Sequence, residues 1–178
     1  MPKIFPGFTL QFDLNETKTW ASLYDMKDDN EAMSAGKRIA AGERTYNNLL
    51  TIAKWKSPRR VELLRDNSDQ EIDEALELAL EAKQPRSALA ILIGLRGVGL
   101  PMASAIMTCL CTETYTVIDW RALHALGVPD WYPDLEFYLR KYQPECRLLA
   151  HKASVSLREM DYALWSWSRK NPYSALQA

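Results

Sequence analysis

Leu95-Arg96-Gly97-Val98-Gly99-Leu100-Pro101-Met102-Ala103 sets two glycines one residue apart between two helical patterns. Glycine reaches backbone angles that a side chain forbids, so the chain can reverse sharply here and bring main-chain N–H groups close to a ligand. Upstream, Leu89, Leu92 and Leu95, and downstream, Val98, Ala103 and Ile106, recur at helical spacing. They predict two short helices packed through the hairpin, with small Ala103 allowing close approach. The second helix opens directly out of the turn, so its N-terminal amides and dipole favour an anion. Gly97, Val98, Gly99, Leu100 and Pro101 are therefore the candidate contacts to a nucleic-acid phosphate, and such contacts read no base.

Downstream, Tyr115-Thr116-Val117-Ile118 reads as extended, Asp119 follows it, and Trp120-Arg121-Ala122-Leu123-His124-Ala125-Leu126 reads as a helix closed by Gly127. Asp is among the preferred N-cap residues, and an ordinary cap accounts for its presence. A catalytic carboxylate at the same place is compatible with that role.

The order Leu95-Arg96-Gly97-Val98-Gly99 followed by Ile118-Asp119 resembles the helix-hairpin-helix DNA glycosylases, the superfamily of endonuclease III and the adenine and alkyl-base glycosylases. The resemblance covers roughly residues 86 to 127. It implies that Asp119 is the residue essential for base removal, stabilising the oxocarbenium-like sugar and orienting or deprotonating the attacking water. The bifunctional members carry a Schiff-base lysine two residues past the last hairpin glycine, where this chain has Pro101, 18 residues before Asp119. With no amine there, the resemblance implies a monofunctional enzyme that leaves an abasic site. It also implies a monovalent cation held by the backbone carbonyls of Ile93, Leu95 and Val98.

Endonuclease III and its close relatives bind an iron–sulfur cluster through four cysteines in the C-terminal region. This chain has three cysteines, Cys109, Cys111 and Cys146, of which only Cys146 lies there, so no such cluster is expected. The odd count without a Cys-x-x-Cys pair argues against a disulfide framework and a structural zinc site. The resemblance is accordingly to cluster-free members, such as the alkyl-base or mismatch-specific thymine glycosylases, and no other cofactor is expected.

The 178 residues, 47% of them apolar, suffice for a sizeable core and read as one folding unit. No apolar run approaches membrane-spanning length and none follows the N-terminus, so a cytoplasmic, monomeric protein without signal peptide or membrane partner is expected. After an extended start to about Asn15, helices are expected over 16 to 27 and 30 to 54. Ser68-Asp69-Gln70-Glu71 is a capping box that opens an acidic helix to about Ala82, and Pro85 starts the helix that runs into the hairpin. Pro129 and Pro133 mark a turn, after which Asp134 to Tyr142, Glu145 to Lys152 and Leu157 to Lys170 read as helices. The fold class is all-α. The resemblance implies two helical lobes with Asp119 in the cleft between them: a central lobe at about 30 to 128 with the hairpin at 93 to 101, and a second lobe packed from 1 to 29 and 129 to 178. Leu164, Trp165 and Trp167 of the last helix read as core.

A net charge of −1 does not advertise a polyanion partner. The distribution is more favourable, since Lys54, Lys56, Arg59 and Arg60 surround Trp55 without an acid, the acids concentrate from Glu62 to Glu81, and further Arg and Lys residues follow in the C-terminal helices. Lys56, Arg59 and Arg121 are the candidate side-chain contacts to the phosphate backbone of DNA. An enzyme acting on a base in duplex DNA must extrude it, and Trp120, Trp55 and Tyr46 are the candidate pocket residues. Each of these aromatics suits a core equally well. His124, one turn from Asp119, suits a satisfied structural role. Two other readings stand beside the enzyme: a non-catalytic helix-hairpin-helix DNA-binding module, and a helical interaction protein whose hairpin is only a tight turn. The base removed would be a damaged, mismatched or modified one.

Overall fold

The computed structural model of the chain describes residues 5–173, the side chain of Asp28 excepted. Among these residues it is helical without a strand. In chain order the helices are α1 (Thr17–Ser22), α2 (Met26–Ala40), α3 (Tyr46–Lys56), α4 (Val61–Leu64), α5 (Asp69–Glu81), α6 (Pro85–Ile93), α7 (Leu100–Leu110), α8 (Trp120–Ala125), α9 (Leu135–Phe137), α10 (Gln143–Ala153) and α11 (Leu157–Lys170). Short 3₁₀ turns lie at Leu14–Glu16 and Pro58–Arg60, and a π turn at Tyr138–Tyr142. The chain divides into two compact units, Asp25–Val117 and the pair of segments Met1–Tyr24 and Ile118–Ala178.

In the Asp25–Val117 unit, α7 is the central element, buried continuously from Met102 to Cys109 and packed by α2, α3 and α6. Its two buried hydroxyls bond within the helix, Thr108 Oγ1 to the Ser104 carbonyl at 2.7 Å and Ser104 Oγ to that of Pro101 at 2.9 Å, so neither is left unsatisfied. Glycine sets the approach of α2: a Cβ on Gly36 would stand 2.2 Å from the Cys109 carbonyl oxygen. The two helices therefore touch backbone to backbone. Ile39, Leu49, Ile52, Leu64, Ile72, Leu76, Leu89, Leu92 and Ile106 fill the surrounding core. α5 opens with the expected Ser68–Glu71 capping box, and Arg44 ties its polar face through Asp73 at 2.8 Å and Glu77 at 2.9 Å.

The helix expected over 30 to 54 is two helices. α2 stops at Ala40, Gly42 takes φ +105°, and Thr45 caps α3 by accepting from the Asn48 N–H. Asn48 fixes the corner, accepting from Arg38 Nε at 2.9 Å and donating to the Glu43 carbonyl at 2.8 Å. The helix expected over 16 to 27 likewise ends at Ser22, and Asp25 caps a new start through the Lys27 N–H.

In the other unit α11 packs against α1, α8 and α10. The extended N-terminal piece lies along the end of α8, with Thr9 and Gln11 donating to the carbonyls of Leu126 and Ala125, both at 2.9 Å. Gly127 leaves α8 with φ +77°, and a Cβ there would meet Gln11 and Thr9 at 2.9 and 3.0 Å. These contacts explain why α8, placed by the sequence at the end of the 30-to-128 lobe, groups with the chain ends instead. The segments expected as separate helices at Asp134 to Tyr142 and Glu145 to Lys152 form one run from Leu135 to Ala153. Pro144 cannot donate and would crowd the preceding turn of an α-helix. The widened π turn, in which the Gln143 N–H reaches back to Tyr138, takes up that misfit.

Candidate nucleic-acid interface and carboxylate site

The hairpin is built as the sequence predicts and braced in a way it does not announce. α6 ends at Ile93, the Val98 N–H closes a turn on the Leu95 carbonyl at 3.1 Å, Gly97 takes φ +84°, and Gly99 caps α7 without a side-chain bond. Val98, Leu95 and Leu100 point inward, while Gly99 and Pro101 are exposed. A Cβ on Gly97 would stand 2.9 Å from Leu63 Cβ and 3.1 Å from the Leu64 nitrogen, so α4 lies directly against the turn. Asn67 then bonds Arg96 on both sides of its backbone, accepting from its N–H at 2.8 Å and donating to its carbonyl at 3.0 Å. This amide clamp is a residue that sequence reading missed, because nothing local pairs positions 67 and 96.

The N-terminal end of α7 has no side-chain cap, and Pro101 occupies its first turn with no N–H of its own. No turn bond is formed to the carbonyls of Ile93 or Val98 among the described residues, and the Leu95 carbonyl keeps a second lone pair beside its bond from Val98. These are the carbonyls that the resemblance assigns to a monovalent cation. Among the described residues there is no group of three or more His, Cys, Asp or Glu side chains that could hold a metal ion.

Lys54 and Lys56 lie in the last turn of α3, where cations complement the helix dipole, and Arg59 and Arg60 are exposed on the 3₁₀ turn that leads into α4. The basic run thus leads directly into α4, the element that backs Gly97. The neighbouring acids are engaged, Glu62 with Arg65 and Asp66 with Arg96, both at 3.0 Å. Tyr46 opens α3 and Trp55 stands near its end, roughly 13 Å along the axis. The two therefore occupy different turns of that helix, and Trp120 belongs to the other unit.

Asp119 is the N-cap of α8. Its backbone is extended, and its Oδ1 accepts from the Ala122 N–H at 3.0 Å, which fixes the carboxylate at the positive end of the helix. Tyr115 to Ile118, which lead to it, are buried, and Asp119 itself is half-buried. Tyr142, fully buried on the π turn, has its phenol held well above its usual range, first by burial, then by neighbouring Cys146 and by the Asp161 and Asp119 carboxylates. The Cys146 thiol, hydrogen-bonded to that phenol, is pushed up chiefly by burial. The Asp119 carboxylate thus acts electrostatically on a phenol that keeps its proton. Asp161 is paired with buried Arg158, whose guanidinium lies 4.4 Å from the centre of the Tyr162 ring.

Aromatic rings extend from Asp119 across the same unit. Trp120 is 50% exposed and stacks towards His124 with centroids 6.3 Å apart. His124 rests against Trp167 and Tyr173 at 5.1 and 5.2 Å, and its Nδ1 lies 3.0 Å from Ser168 Oγ. Burial first, and the Arg121 charge second, lower its tendency to protonate. Its role is the satisfied structural one. Trp165 and Trp167, expected as core beside Leu164, are only half-buried, and only Leu164 is enclosed. No helix among the described residues is long and apolar enough to cross a membrane. Comparison with protein-family models, with curated proteins and with solved structures finds no match to this chain.

Proposed function

We propose that the chain is a monofunctional DNA glycosylase of the two-lobed helix-hairpin-helix architecture, hydrolysing the N-glycosidic bond of a damaged, mismatched or modified base. The observation that carries this reading is the presence in one chain of an uncapped, glycine-turned α7 start and of a carboxylate fixed at the head of α8. Hairpin amides from Gly97 to Leu100 bind a backbone phosphate, with Lys56 and Arg59 adding charge. The carbonyls of Ile93, Leu95 and Val98 would hold a monovalent cation that supplies positive charge beside that phosphate.

At the reacting sugar, the base departs with the electron pair of the C1′–N bond, and water adds to C1′ and gives up a proton. The Asp119 carboxylate stabilises the positive charge that develops on the sugar and accepts or orients that proton. Burial and its acidic neighbours keep the Tyr142 proton in place, so the phenol does not compete as the base. Pro101 offers no amine for a Schiff base, which supports hydrolysis without strand cleavage. Trp120, half-exposed next to Asp119, offers an indole on which a base of the bound strand can stack.

The test is base release from duplexes carrying single lesions or mismatches, developed with and without alkali, for the wild type and Asp119→Asn. The non-catalytic module is the second reading, favoured by the bracing of the hairpin through Asn67 and α4. It predicts equal, salt-dependent DNA binding by both proteins and no base release by either.

A further inference from the structure

Two arginines from different helices meet on one indole. The Arg121 guanidinium of α8 lies 5.3 Å from the centre of the Trp165 ring and 4.6 Å from that of Trp120, and the Arg169 guanidinium, one turn beyond Trp165 on α11, lies 5.2 Å from it. Tyr24 packs edge-on against Trp165 at 5.1 Å and fixes the ring. Cation–π contact favours each guanidinium, and two like charges held around one ring together favour an anion in their neighbourhood.

Among the described residues no carboxylate is paired with Arg121 or Arg169, whereas Asp161, one turn before Trp165, is taken by Arg158. The Asp119 carboxylate, two residues before Arg121, is engaged with the Ala122 N–H. A guanidinium resting against an indole still has N–H donors to offer an oxyanion, and through such donors arginine recognises phosphate. Beside them Trp120, 50% exposed, presents an indole of the kind on which a base stacks.

We propose that Arg121 and Arg169, held on Trp165, form a phosphate clamp for a nucleic-acid strand, with Trp120 stacking a neighbouring base. The clamp rests on the DNA-binding half of the reading above and not on its catalytic half. It adds Arg169 and Trp165 to the binding residues and gives the Ile118–Ala178 segment a strand contact separate from the hairpin.

The experiment measures binding of a labelled single-stranded oligonucleotide and its duplex over a range of salt, for the wild type, Arg121→Gln, Arg169→Gln and the double variant. Urea midpoints establish that each is folded. Each lost phosphate contact lowers the slope of log K against log salt by about 0.7 on the single strand and about 0.9 on the duplex, so the double variant is expected to lose roughly 1.4 on the single strand. Trp120→Ala is expected to weaken single-strand binding about 10-fold with the slope unchanged. An unchanged slope in the folded double variant, or a wild type without DNA affinity, overturns the clamp. Binding of inorganic phosphate to a wild type that ignores the oligonucleotide also overturns it, assigning the arginines to a free anion. Base release keeps the two readings apart: slope loss in the double variant without wild-type base release supports the clamp and sinks the glycosylase, and base release with an unchanged slope does the reverse.

Discussion

Gly97→Ala tests whether the hairpin is a braced structure or a loose turn. Two costs are superposed. The first is conformational: φ +84° is a region that an L side chain occupies at a cost of about 1–2 kcal/mol. The second is steric, since the new methyl would stand 2.9 Å from Leu63 Cβ and 3.1 Å from the Leu64 nitrogen. Neither atom is the far end of a flexible side chain, so α4 must move, at about 1–3 kcal/mol. Gly42→Ala separates the two, because Gly42 has φ +105° and nothing within 4 Å of its Cβ position. In urea denaturation followed by helical and tryptophan signals, Gly42→Ala is expected to cost about 1–2 kcal/mol. Gly97→Ala is expected to cost about 2–5 kcal/mol, the sum of both terms. That is a large share of the roughly 5–15 kcal/mol that holds a typical domain folded. A Gly97→Ala protein no less stable than Gly42→Ala would refute the packing of α4 against the turn.

Gly36→Ala places a methyl 2.2 Å from the Cys109 carbonyl oxygen and is expected to destabilise the Asp25–Val117 unit by about 3 kcal/mol or more; a urea midpoint near that of the wild type would contradict the backbone contact of α2 with α7. His124 has a folded-state pKa below its unfolded value of 6.5, so its contribution to stability is present above pH 6.5 and is lost as the pH falls through the lower folded value. His124→Gln should therefore flatten the decline of the urea midpoint below pH 6.5, and an NMR titration of His124 at or above 6.5 would contradict this. Asp119→Ala is expected to cost about 1 kcal/mol by loss of the α8 cap, and Asp119→Asn only a few tenths because Asn also caps; equal thermal shifts for the two would mean that the bond to the Ala122 N–H contributes nothing.

The features legible in the sequence are those whose cause is local. The Ser68–Glu71 capping box, Pro85 at a helix start, Asp119 as an N-cap and Gly127 as a helix end each follow from a few neighbouring residues, and each stands where it was expected. The break at Gly42 was also written locally, by a glycine followed three residues later by capping Thr45, but the apolar periodicity on either side obscured it. The fused run through Pro144 reverses an ordinary rule, because the π turn absorbs what a proline breaks in an α-helix. The Asn67 clamp on Arg96, the approach of Gly36 to Cys109 and the meeting of Arg121 and Arg169 on Trp165 join residues far apart in the chain. Such pairings are decided by tertiary packing, which no local pattern encodes. Of the expected site, Asp119, Trp120 and Arg121 are adjacent in one unit, while the hairpin, Lys56, Arg59, Trp55 and Tyr46 lie in the other.

Base release by the wild type and Asp119→Asn from a panel of single-lesion and mismatch duplexes isolates the carboxylate's part in the chemistry, because the substitution removes the charge and keeps a capping oxygen. Alkali-dependent cleavage by the wild type is expected on at least one duplex. A loss of about 100- to 1,000-fold or more is expected in Asp119→Asn, with DNA affinity and urea midpoint retained. Equal base release by the two proteins, or none by either on any duplex, would contradict a catalytic role for Asp119.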